Sequence, residues 1–323
     1  MKVPYSYANA VAVSSHKTLI PKSRFLSAID AKTADEALKT LTSGGFGKNA
    51  DINGAGEYEK AVAAETIALK DFVNDYSRGN DVRFYCFLKS DFFNCDVAVR
   101  RQVLGVAAGY AKDGLTDTAV IEEFVKSGKG ELPAYLEVAV GDLKTLCKNG
   151  SPSGAEMSFV AIKDYYAAAL KLIKNRLIRD LIKTEIDCAN VSAYTRSSSK
   201  EAAEKQFISG GKLKKEKLAV LQGGDNGKIR DAFLFSPYKD LVDACVRAKS
   251  ENRPLSEFEK IKDDYPMKRL DAKRYASEGI TPVLLYAAYK RAEIKNFRTV
   301  ISGKLANAPA ETIAGRLRDG YVG

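Results

Sequence analysis

The sequence predicts an all-α fold, and three features of it carry that expectation. Residues 155–208 contain neither proline nor glycine, and no proline lies between Pro21 and Pro133 or between Pro152 and Pro237, a profile suited to long helices. Within that stretch Phe159, Ile162, Tyr166, Leu170, Ile173, Leu177 and Leu181 step by three or four residues, which is a helical stripe. No convincing set of alternating apolar and polar residues marks a strand; the β-branched residues fall inside helical periods instead.

Taken in chain order, local signals place the elements. Thr33 followed by Glu36 reads as a capping box opening ADEALKTL, and SGGFG then supplies a glycine stop. Shorter helical patterns cover about 57–76, 81–108 and 279–302. The stretch from 155 reads as one long helix packed on two sides, because Val160, Leu172, Ile178, Ile182 and Ile186 widen its apolar face. Pro133, Pro237, Pro254, Pro266, Pro282 and Pro309 each stand where a helix can begin. KNGSPSG (148–154) and LQGGDNG (221–227) are the candidate connections between lobes.

A degenerate repeat organises the whole. An acidic residue is followed three places later by asparagine at Asp91/Asn94, Asp187/Asn190 and Glu293/Asn296, at intervals of roughly a hundred residues. Arg100 and Arg196 follow at one common offset, whereas Arg298 stands only two residues after Asn296. Downstream, SGGKLKKEKLAVL after the second copy and SGKLANAPAETIAGRL after the third look alike, with AGYAKDGLTDTAVIEEF as a looser first version. Three related helical lobes follow as the expectation, at about 1–128, 129–226 and 227–323. Residues at i and i+3 share a helix face, so each carboxylate points the same way as its asparagine amide. Such a pair reads first as a joint that hydrogen-bonds a neighbouring segment, since buried polar groups must be satisfied. A polar contact site repeated three times is the other reading.

Size and composition agree with several lobes. At 323 residues the chain exceeds the roughly 250–300 at which single cores stop growing. With 45% hydrophobic and 28% charged residues it has the make-up of a folded protein. No segment approaches the ~20 apolar residues of a membrane span, and MKVPYSYANAVAVSSHK lacks the apolar core of a secretory signal. A cytosolic protein is expected. Cys86, Cys95, Cys147, Cys188 and Cys245 are odd in number and form no CxxC pair, so reduced, mostly buried thiols are expected. The net charge of +10 favours acidic partners: proteins, nucleic acids or lipid headgroups.

Catalytic constellations are hard to find. His16 is the only histidine, which rules out a multi-histidine metal site and leaves any triad to one residue. None of the pairs Gly47-Lys48, Gly128-Lys129, Gly211-Lys212 and Gly303-Lys304 has the flanking residues of a P-loop, and GAGEYE (54–59) fails the dinucleotide fingerprint. Neither a catalytic residue, a cofactor nor a metal is expected. Two alternatives are carried. KLKKEK (212–217) and the charge allow a basic helical scaffold of a nucleic-acid-associated complex, although no defined nucleic-acid module fits. Asp263 and Asp264 in KDDYPMKRLD allow an all-α Mg²⁺-dependent enzyme, although Met267 stands where the second aspartate of that motif belongs.

The carboxyl-terminal residues carry a resemblance. Glu293, Lys295, Asn296, Phe297, Arg298, Ser302, Gly303, Lys304, Leu317, Arg318, Tyr321 and Val322 resemble the terminal segment of the C subunit of the prokaryotic V-type (A-type) ATP synthase, relative of the d subunit of the eukaryotic V-ATPase. Tyr5, Tyr7 and Asn9 are similar to that family's amino end, and the copies at Asp91 and Asp187 to its internal repeats. Asn94 and Asn190 are followed by Cys95-Asp96 and Val191-Ser192 rather than the family's frequent Leu-Lys. The resemblance implies a funnel-like, non-catalytic rotor adaptor of three helical lobes, peripheral on the cytoplasmic face of the membrane. Its implied partners are the central-stalk subunits, the membrane proteolipid ring and, transiently, the stator membrane subunit. No nucleic acid is implied.

Overall fold

The computed structural model describes residues 4–223, 225–252 and 255–321, and every regular element among them is helical. The chain divides into two compact units, Gly79–Leu218 and a discontinuous one made of Met1–Arg78 with Ala219–Gly323.

The discontinuous unit begins with α1 (Tyr5–Ser15), α2 (Lys22–Asp30), α3 (Ala34–Thr42) and α4 (Tyr58–Tyr76). The continuous unit holds α5 (Asp81–Leu104), α6 (Thr118–Ser127), α7 (Ala134–Lys148), α8 (Gly154–Leu172), α9 (Arg176–Arg196) and α10 (Lys200–Lys205), with α11 (Lys215–Ala219) at its end. The chain then completes the first unit with α12 (Asn226–Phe233), α13 (Lys239–Ser250), α14 (Ser256–Asp271), α15 (Thr281–Leu305) and α16 (Ala310–Gly315).

Each unit is built round one long helix. In the continuous unit α5 packs against α6, α7, α8 and α9, burying Phe87, Leu88, Phe92, Cys95, Val97 and Val99. In the other, α15 packs against α1, α2, α3 and α4 and buries Leu284, Leu285, Phe297, Val300 and Ile301. A helix that is apolar most of the way round belongs in an interior, and burying one such Leu or Phe side chain is worth about 1.5–3 kcal/mol. The same burial forces the polar residues of these helices to find partners.

Several boundaries differ from the sequence expectation. The stretch from 155 is broken at residues 173–175. Asn175 caps α9 by accepting the Ile178 N–H, and the Asp81 carboxylate accepts the N–H groups of Lys174 and Asn175. The apolar period runs on across this break, so it hid the corner. The pattern at 81–108 stops at Leu104, where Gly105 takes a left-handed cap at φ 66°. Pro266 lies inside α14 rather than at its start, and Pro254 falls outside the described residues. Thr33 accepts the Glu36 N–H, but Glu36 returns its carboxylate to Lys32 N–H instead of Thr33. The complete capping box is at Ser153/Glu156, opening α8.

Candidate functional site: three helix-borne joints

The acidic-x-x-Asn pairs sit on α5, α9 and α15, and all six side chains are buried. On α5, Asn94 donates from Nδ2 to the Ala111 carbonyl at 3.0 Å and accepts the Ala111 N–H on Oδ1 at 2.8 Å. On α9, Asn190 does the same with Ile208, at 2.8 Å in each direction. On α15, Asn296 treats Arg318 alike, at 2.9 and 2.8 Å. One amide thus serves both the N–H and the C=O of a returning residue, as another peptide would. Only a side chain carrying donor and acceptor together can do this, which explains the asparagine. The partners lie 17, 18 and 22 residues downstream.

The carboxylates complete two of the joints. Asp91 accepts from the N–H and the hydroxyl of Thr116, and Asp187 from the N–H groups of Lys212 and Leu213. Between the two anchor points lies a glycine at the same place, three residues after the asparagine's partner. A Cβ at Gly114 would stand 2.7 Å from Asp91 Oδ1, and one at Gly211 only 2.2 Å from Asp187 Oδ1. The returning chain is wedged against the helix, and only glycine fits.

The third joint is built differently. Tyr321 takes the glycine's place, and Glu293, one methylene longer than aspartate, turns elsewhere: its Oε1 accepts the Ile20 N–H at 2.6 Å. Its other oxygen lies 2.5 Å from Lys290 Nζ, which also meets Glu65 at 2.6 Å. Burial pushes Glu293 above the usual carboxylate range, with the Lys290 charge opposing that shift. The returning chain is held instead from α14, where Asp264 accepts the Asp319 N–H and Asp263 pairs with Arg318 at 2.9 Å. Asp263 also pairs with Lys295, and Asp264 with Lys260. These contacts occupy both aspartates, and among the described residues no cluster of His, Cys, Asp and Glu has the make-up of a metal site.

The arginines do not form a set. Arg100 pairs with Asp96 and reaches the Gly154 carbonyl and Ser158; Arg196 is exposed in the last turn of α9; Arg298 clasps Glu59 of α4 through two bonds of 2.8 Å. The apparent kinship of SGGKL and SGKL is likewise one of sequence only. Gly211 lies in the wedged return after α9, whereas Gly303 is inside α15, where its missing Cβ admits Ile313 of α16. His16 packs among the rings of Tyr286, Tyr289 and Tyr321 at 5.5–6.0 Å, and burial lowers its pKa. Sequence reasoning missed the receiving backbones, because a residue that offers only its peptide group has no side-chain signature.

A helical chain with the same buried pair repeated three times matches the model of the ATP synthase (C/AC39) subunit over residues 8–316. This chain belongs to that family. The family is that of a non-catalytic component of the complex, which the residues described above accommodate: their polar groups are spent on one another and on the backbone. The chain is 31% identical over 205 residues to the C subunit of the A-type ATP synthase of Archaeoglobus fulgidus, an alignment covering 60% of this chain and 55% of that relative. The corresponding protein of Methanocaldococcus jannaschii is 21% identical, over 96% of this chain and 85% of its own length. The C subunit of the V-type sodium ATPase of Enterococcus hirae is 20% identical, over 82% and 83%. No helix among the described residues is long and apolar enough to cross a membrane.

Proposed function

We propose that this protein is the rotor adaptor of an A/V-type ATPase, joining the central stalk to the membrane proteolipid ring so that ATP turnover and proton or sodium movement are mechanically coupled. The observation that carries the reading is the family match over nearly the whole chain. The physical chemistry supports it. An adaptor has to resist twisting rather than react, and helices clamped to returning backbone by buried two-way hydrogen bonds suit that task. Each joint is read as the keystone of one helical repeat, the first two belonging to the unit Gly79–Leu218 and the third to the discontinuous unit. The net charge of +10 suits acidic protein surfaces or headgroups on the cytoplasmic side of a membrane.

Co-expression with the stalk and ring subunits tests the reading. A complex that co-purifies through this chain, and separates into stalk and ring when it is omitted, is the expected result. Stalk and ring that assemble equally well without it would overturn the proposal.

A further inference from the structure

The third joint differs from the other two in a way that bears on motion. In the first two, carboxylate and asparagine of one helix grip the returning chain, and Gly114 and Gly211 leave no room between them. In the third, residues 316–321 run from α15 across to α14. They are held by Asn296 on one helix and by Asp263 and Asp264 on the other. The ionic fastenings are partly solvated: Arg318 and Asp263 are 17% and 28% exposed, and Lys260 and Asp319 are 30% and 38% exposed. Ion pairs in such positions are weak and screened by salt.

The segment borders a partly open pocket of about 250 Å³, lined by Leu19, Phe25, Met267 and Tyr289, by charged groups such as Lys268 and Asp271, and by its own Leu317 and Tyr321. Side chains that line an open pocket have fewer packing partners than those of a close-packed interior. Tyr321, too large for the glycine position, leans on His16 and Tyr289 at ring distances of 5.6 and 5.7 Å.

We propose that residues 316–321 form a releasable strap between α14 and α15, which opens while the two glycine-wedged joints stay shut. Opening frees Asp263 and Asp264 from the strap and lets α14 reseat over α15 without unfolding either helix. Local openings of this kind cost less than global unfolding where the fastenings are partly solvated. The inference concerns this chain alone and does not depend on the proposed partners.

Amide hydrogen exchange on the full-length chain tests it. The Arg318 and Asp319 amides, which bond to Asn296 and Asp264, are expected to be at least about tenfold less protected than those of Ala111 and Ile208, and to lose further protection in 1 M salt. Arg318→Gln should raise exchange at Asp319 with little change in Tm. Equal protection at all three joints, or an Arg318→Gln loss of Tm matching that of Asn190→Leu, would show that the segment belongs to the cooperative core and overturn the proposal.

Discussion

An asparagine amide that pairs with both polar groups of one backbone residue is hard to replace. Leucine at position 190 would fill similar space but strand the N–H and C=O of Ile208, whose bonds are buried. Leaving buried groups unpaired costs about 1–3 kcal/mol each, so Asn190→Leu should lower the denaturant midpoint by an amount equivalent to roughly 2–6 kcal/mol. Asn94→Asp should also destabilise at neutral pH, because a carboxylate cannot donate to the Ala111 carbonyl. Asp164 offers a test with the opposite sign. Its Oδ2 is buried without a hydrogen-bond partner, and burial, with Asp142 adding negative charge, pushes it up from 3.8 to about 6. The folded chain then binds this proton more tightly than the unfolded chain, so the group favours folding below about pH 4, and that contribution is lost as pH rises through about 6. Asp164→Asn should raise Tm at pH 7 and flatten the melting profile between pH 4 and 6; an unchanged profile would show that Asp164 is solvated. At this scale the sequence was informative about the six paired side chains, since i,i+3 spacing fixes their common face. It was silent on which backbone they serve, and on the extra methylene that turns Glu293 towards Ile20.

Among the helices, the sequence revealed where apolar faces run better than where they stop. Periodicity located α4, α5 and α15 to within a few residues, because burial of a helix face is written in side chains. It passed over the corner between α8 and α9, since Ile173 is itself buried and keeps the period while Asn175 and Asp81 satisfy the turn. The glycine wedges were likewise hidden, as the meaning of Gly114 and Gly211 depends on a carboxylate some 25 residues earlier. Gly211→Ala should cost about 1–3 kcal/mol through overpacking, because its Cβ would lie 2.2 Å from Asp187 Oδ1. Gly109→Ala, where nothing lies within 4 Å of the new methyl, is the control and should change stability little. Equal effects of the two substitutions on the urea midpoint would remove the wedge from the account.

For the molecule as a whole, the carboxyl-terminal residues led to the family before any contact was known, and the acidic-x-x-Asn pairs at Asp91, Asp187 and Glu293 agreed with it. The chain's division into Gly79–Leu218 and a unit uniting both chain ends was not legible. It rests on α1 to α4 packing round α15, including the Arg298–Glu59 clasp, over separations such as 239 residues. The rotor reading makes this chain the link without which ATP turnover and ion movement run independently. The most direct measurement is ATP-driven ion uptake by membrane vesicles carrying every other component of the complex, with and without this chain. The account predicts that omission abolishes uptake while the head continues to hydrolyse ATP, and that adding the chain restores it. Undiminished uptake in its absence would contradict the account.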